Sequence, residues 1–259
     1  MKKSYIIANW KMNLDLRQIK RFFSNFDISD IQTEKLNLII CPPIVFFEYV
    51  GQAIGDRPIE IGAQNIFWEE EGPYTGEISA HQLADAGCKY VIIGHSERRQ
   101  LFNEDDALVN KKVKIALKNR LVPIVCLGEN LEEKETGLTK KVIEQKIKKC
   151  FSDVRSFEMK KVIIAYEPMW AISTSQENPS GQADSPEGAQ VVHKLIRRVV
   201  ENMFDPYTAK AVTIIYGGSV DAENVGGFAA MEDIQGVLVG SASRQPESFK
   251  KIIIPFINK

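Results

Sequence analysis

The 259-residue sequence contains no apolar run of membrane-spanning length, no Cys-x-x-Cys pair among its four cysteines, only three histidines and almost no net charge. Each absence excludes something. Without a stretch of about 20 apolar residues there is no transmembrane helix to expect. The run behind the Met-Lys-Lys start, Ser4–Ala8, is too short for a signal peptide and is broken by Asn9, Lys11 and Asn13. Cys41, Cys88, Cys126 and Cys150 are widely spaced, and a chain of this size needs no disulfide staples, so reduced thiols and a cytoplasmic location are expected. Lys+Arg 33 against Asp+Glu 34 leaves a formal charge of −1. No global field then draws the protein to nucleic acid or to an anionic membrane, and any anionic ligand must be held locally. There is no Pro/Gly/Ser linker, no low-complexity tract and no change of composition along the chain, so residues 1–259 are expected to form a single domain.

What is present is a repeated order. Eight short runs rich in Ile and Val, at Ser4–Ala8, Asn37–Cys41, Ile59–Ala63, Tyr90–Ile93, Leu121–Cys126, Val162–Ala165, Val212–Tyr216 and Gly236–Val239, read as strands buried on both faces, the mark of a parallel sheet. Helical periodicity fills the intervals, as in Leu108–Leu117, Val142–Ile147 and Val191–Val200, with Ser79, Asp105, Thr139 and Ser185 as capping candidates. Strand then helix, repeated in a chain of this length, predicts an α/β fold closed as a (β/α)8 barrel rather than an open doubly wound sheet.

In such barrels the active site forms at the C-terminal ends of the strands. The first run leads to Asn9 and Lys11, the fourth to His95 and Glu97, the fifth to Cys126 and Glu129, and the sixth to Glu167. A closed barrel aims all strand ends at one axis, so Lys11, His95 and Glu167 should share a space instead of scattering over the surface. Cys126 reads as core, and His81 and His193 as parts of helices. The turns Tyr216-Gly217-Gly218-Ser219 and Gly240-Ser241, after the last two strands, can expose backbone N–H groups and form a phosphate seat.

These pieces stand in longer motifs: ANWKMN (8–13), AQN (63–65) with GPYTGEIS (72–79), IIGHSERR (92–99), CLGE (126–129), AYEPMWAI (165–172), YGGSV (216–220) and LVGSAS (238–243). In this order, across the whole chain, the set resembles the triosephosphate isomerase family. The resemblance implies interconversion of dihydroxyacetone phosphate and glyceraldehyde 3-phosphate through an enediolate, with no cofactor and no metal, by a homodimer. It implies Glu167 as base, His95 as a neutral electrophile, Lys11 and Asn9 as charge and donor, and Glu97 as an auxiliary acid. It places the substrate phosphate on Ser173, Ser219, Gly240 and Ser241. A lid of Pro168, Met169, Trp170, Ala171 and Ile172 would be supported by Glu129 and Tyr216. Thr75, Glu77 and Arg98 would meet a twin subunit.

The chain departs from the family pattern in places. Lids of the family usually run Ala-Ile-Gly-Thr-Gly-Lys, whereas here Ala171-Ile172 leads to Ser173-Thr174-Ser175 and about six extra residues before Ser185. Serine also stands for a common glycine at 241, and Arg244 takes the place of a usual Leu. The polar run Gln176–Gly181 has no apolar anchor and is expected to form a bulge beside the lid. Two other readings follow from the same residues: a Schiff-base aldolase using Lys11, and a barrel that binds triose phosphate behind an altered lid without turning it over.

Overall fold

Alternation along the strands gives the molecule two cores. The computed structural model describes residues 3–172, 178, 183–257 and 259. In β1 (Ser4–Asn9), Ile7 belongs to an inner cluster with Ile39, Ile92, Ile124, Ile163 and Ile215, while Ile6 and Ala8 pack outward with helix residues such as Ile19 and Phe22. Successive side chains leave a strand on opposite faces, so one strand feeds both layers. The other strands are β2 (Leu36–Cys41), β3 (Ile59–Ala63), β4 (Tyr90–Ile93), β5 (Val122–Leu127), β6 (Ile163–Tyr166), β7 (Thr213–Tyr216) and β8 (Gly236–Val239). Each pairs in parallel with the next, and β8 pairs with β1. The result is the closed (β/α)8 barrel, with strand ends within one or two residues of those expected.

The helices obey the same local rules. Ser79, Asp105 and Ser185 each accept a hydrogen bond from the backbone N–H of Gln82, Leu108 and Gly188, satisfying donors that a helix start leaves unpaired. Thr139 does not act as a cap. The short helix Leu131–Glu135, capped by Asn130, delivers the chain to Leu138 already in a helical conformation (φ −85°, ψ −3°), so Thr139 is the first residue of the next helix, Thr139–Cys150. An N-cap residue needs extended backbone to turn its side chain onto the first N–H groups.

Helix Pro186–Met203 lays Ala189, Val192, His193, Ile196, Val199 and Val200 against the barrel, a spacing that keeps one stripe facing inward. Each fully buried Val or Ile contributes about 1.5–3 kcal/mol relative to exposure. Among the described residues, no helix is long and apolar enough to cross a membrane.

Candidate active site

The alternation that builds the inner core also supplies the site. Two residues beyond inward-facing Ile7, Ala165 and Leu238 stand Asn9, Glu167 and Gly240, and each lines a cavity of about 210 Å³ at the C-terminal mouth of the barrel. Lys11, His95, Gly217, Ser219, Ser241 and Ile172 line it too.

One helix start organises His95 and Glu167. After β4, Gly94 takes φ +69°, a left-handed conformation that most side chains avoid, and the chain enters helix Ser96–Leu101 with His95 at its cap. The first N–H groups of a helix have no partner within it. Here the N–H of Ser96 donates to Oε2 of Glu167 at 2.9 Å, and the N–H of Glu97 donates to Nδ1 of His95 at 3.2 Å. Nδ1 is therefore an acceptor, and a neutral ring carries its proton on Nε2. The Glu97 carboxylate lies 3.7 Å from Nδ1, beyond the backbone contact that already uses its lone pair.

Glu167 is buried, and its second oxygen, Oε1, lies 3.4 Å from Nε2 of His95. Oε1 finds no full hydrogen bond among the described residues. A buried carboxylate oxygen without a partner is costly, and such exceptions gather where an incoming group completes the set. Its support is close on the other side. A Cβ on Gly217 would come within 2.7 Å of Cγ of Glu167, so only glycine lets β7's end approach the carboxylate. Cys126 lies in the inner core, as expected, and burial, with the nearby Glu167 carboxylate adding to it, pushes its thiol far above the usual range.

Lys11 reaches the cavity on a strained stem. Its φ of +52° is left-handed, a conformation that costs a non-glycine residue roughly 1–3 kcal/mol. Several contacts hold it there: its N–H donates to Oδ1 of Asn9 at 3.0 Å, and its carbonyl accepts from Nε2 of Gln64 at 2.9 Å. The ammonium pairs with Glu97 at 2.6 Å. Its Nζ also stands 3.8 Å from where a Cβ on Gly240 would be, which puts a cation against the Gly240–Ser241 turn.

Residues 168–172, expected as a lid, are held by several hydrogen bonds. Met169–Ala171 make a 3-10 turn, with the N–H of Met169 on the Glu129 carbonyl at 3.0 Å and that of Ala171 on the Pro168 carbonyl at 2.8 Å. Oε1 of Glu129 accepts from both Nε1 of Trp170 at 3.0 Å and the hydroxyl of Tyr166 at 2.9 Å. Tyr216 is buried and stacked on Phe228 with ring centroids 4.2 Å apart. The N–H of Ser219 donates to the Ala171 carbonyl at 2.9 Å, so the turn after β7 and the Met169–Ala171 turn touch directly. Ser173 and most of the run to Gly181 lie outside the described residues.

A model of the triosephosphate isomerase family matches residues 4–255. The chain is 43% identical over 253 residues to the triosephosphate isomerase of Dictyoglomus turgidum, covering 98% of this chain and 99% of that one. It is 44% identical over 254 residues to that of Chloroherpeton thalassium (98% of each chain), and 41% identical over 251 residues to that of Aquifex aeolicus (97% and 98%). The chain belongs to the triosephosphate isomerase family.

Against that membership, Asn9, Lys11, His95 and Glu167 share one cavity, with Ser219, Gly240 and Ser241 on its wall. Glu97 sits behind Lys11 on the ion pair. Glu77 and Arg98 line a neighbouring groove of about 780 Å³, where Arg98 is engaged by Glu104 at 2.7 Å, and Thr75 lies on the adjoining Gln64–Ile78 segment. Three residues around this cavity, Ser96, Gln64 and Gly217, are not picked out by strand-end position as contacts of Glu167 or Lys11. Ser96 and Gln64 lie inside the motifs IIGHSERR and AQN, and Gly217, in the turn expected to seat phosphate, also forms the floor under Glu167. Among the described residues there is no group of three or more His, Cys, Asp or Glu placed to hold a metal.

Proposed function

We propose that the protein interconverts dihydroxyacetone phosphate and D-glyceraldehyde 3-phosphate by proton transfer through an enediolate. The observation that carries this reading is the buried Oε1 of Glu167, without a hydrogen bond among the described residues, lying 3.4 Å from Nε2 of His95, whose Nδ1 accepts from a backbone N–H. A base and an electrophile at that separation can serve adjacent carbons of one substrate. Glu167 takes the proton from the carbon next to the carbonyl and returns it to the neighbouring carbon. The Nε2–H of His95 donates to the oxygen on which negative charge develops, and the same imidazole exchanges protons between the two enediolate oxygens. Nothing is oxidised or reduced overall. Lys11, held by Glu97, and the Asn9 side chain face the same developing charge. The phosphate rests on the backbone of Ser219, Gly240 and Ser241, with Ser173 supplying a further contact from the lid. Pro168–Ile172, braced on Glu129 and Tyr216, closes over it and excludes water.

The Schiff-base alternative needs a neutral amine, and the Lys11 ammonium is instead ion-paired at 2.6 Å. A coupled assay for isomerisation of glyceraldehyde 3-phosphate tests the proposal. Wild-type protein should turn the substrate over, and Glu167→Asp should lose at least about tenfold in kcat, because retracting the carboxylate spoils the approach geometry. A wild-type protein without turnover removes the reading.

We also infer a homodimer of single-domain subunits working in the cytoplasm. Met12, Val45, Leu101 and Phe102 are exposed, and a surface with several large apolar groups favours a partner. Thr75, Glu77 and Arg98 would lie in that interface. The four cysteines are free and buried, which suits a reducing compartment. Sedimentation showing a fully active monomer at micromolar concentration would contradict the dimer.

A further inference from the structure

Arg244 is left without a task by the isomerase chemistry, yet its side chain joins two loops that line the cavity. Nη1 donates to Oδ1 of Asn13 at 2.8 Å, and Nε donates to the carbonyl of Ser241 at 3.3 Å. Asn13 passes the connection on, its Nδ2 donating to the carbonyl of Trp10 at 2.9 Å. Nε1 of Trp10 returns it by donating to the carbonyl of Ser243 at 3.2 Å. The contacts close a ring between the loop after β1 and the turn Ser241–Arg244 after β8.

What the ring encloses is functional. Lys11 stands between Trp10 and Asn13 with φ +52°, and Leu14, just beyond, has φ +67°. A short loop with two left-handed residues that are not glycine keeps its shape only where its surroundings over-determine it. Across the ring lie Gly240 and Ser241, and Cε of Lys11 stands 3.5 Å from where a Cβ on Gly240 would be. The ring therefore spans the segment that supplies a cation and the segment that supplies a backbone seat for an anion.

We infer that Arg244 is a positioning residue. By clamping Asn13 to the Ser241–Arg244 turn it holds the Lys11 ammonium at a set distance from the Gly240–Ser241 backbone, and so tunes the grip on the substrate phosphate. This rests on the triose phosphate reading above. An aliphatic side chain at 244 supplies neither hydrogen bond, and a lysine supplies a charge without the fixed fork of a guanidinium.

The test compares wild-type protein with Arg244→Leu, Arg244→Lys, Asn13→Ala and the Asn13→Ala/Arg244→Leu double variant. Two readouts are taken: turnover of glyceraldehyde 3-phosphate, and binding of glycerol 3-phosphate, which carries the phosphate without a carbonyl. Arg244→Leu is expected to raise KM and the glycerol 3-phosphate Kd together by about five- to tenfold while kcat stays within about twofold. Asn13→Ala should give a rise of the same size, and the double variant little more, because both changes cut the same link. Arg244→Lys should recover part of the loss. Urea titration separates a structural role: a lowered midpoint with KM and Kd at wild-type values overturns the inference, as do additive effects in the double variant. Failure of the isomerase reading looks different, since wild-type protein itself would then turn nothing over. In that event the glycerol 3-phosphate Kd alone decides, and no change in Arg244→Leu overturns the clamp.

Discussion

Two buried histidines, His95 at the barrel mouth and His193 between helix Pro186–Met203 and the strands, show how one residue type is put to opposite uses. His95 accepts at Nδ1 from a backbone N–H, which leaves Nε2–H facing the cavity and Glu167. His193 has Nδ1 3.2 Å from the carbonyl of Asp233, which can only accept, so Nδ1 carries the proton and Nε2 is bare. That Nε2 is buried without a partner among the described residues, and the ring meets Tyr166 edge-on at 5.9 Å. Burial pushes the His193 imidazole down to about 3. The tautomers are mirror images: one presents a donor to a substrate-sized space, the other hides an acceptor in the core. Burial alone therefore says little about a histidine. What its first nitrogen is bonded to, and what its second one faces, decide the role.

The comparison breaks most visibly at the mouth. His95→Gln should lower kcat by about 10²–10⁴-fold while the fold persists, since it removes the group proposed to polarise the carbonyl. Steady-state kinetics with a thermal melt checks both halves, and near wild-type turnover would make His95 no more functional than His193.

A smaller loss is expected when the histidine stays and its partner moves. In Gly217→Ala the new Cβ would sit 2.7 Å from Cγ of Glu167, too close for a carbon contact, so the carboxylate must leave its present position beside Nε2. A kcat lower by about tenfold, measured in the same assay, is expected from a misplacement of that size.

His193 sharpens the other side, with the smallest effect on turnover. Its folded value of about 3 lies below the ordinary 6.5. The unfolded chain therefore binds the extra proton between those values, and acid favours unfolding. The contribution of neutral His193 is fully present above about pH 6.5 and is lost as pH falls toward 3, with a slope of at most about 1.4 kcal/mol per pH unit. Urea titrations across that window should show His193→Gln less sensitive to acid than wild type, with kcat at neutral pH within about twofold. Equal slopes would mean that His193 is charged or solvated in the folded protein.

Much of this is legible in the residues alone. Ile- and Val-rich runs declared all eight strands because a strand covered on both faces leaves few other choices of side chain, and the order strand-helix implied closure. The lysine, histidine and glutamate at the strand ends followed from that order, since a closed barrel sends every strand end to the same rim. The false cap at Thr139 shows the limit: its failure was decided by Leu138 arriving already helical from the preceding short helix.

The sequence by itself thus determined the barrel, the strand-end side chains that meet at its mouth and the family, because these depend on residue type and on spacing along the chain. Only the tertiary structure decided which oxygen of Glu167 is bound by Ser96 and which is free, which nitrogen of His95 keeps its proton, and why residue 217 must be glycine. The partner of Arg244, 231 residues away at Asn13, belongs to the same class. The His95 proton is fixed locally, by the N–H of Glu97 two residues on, whereas the Glu167, Gly217 and Arg244 contacts join chain segments far apart in sequence. Their angles and distances are set by barrel closure, and no local pattern of residues records them.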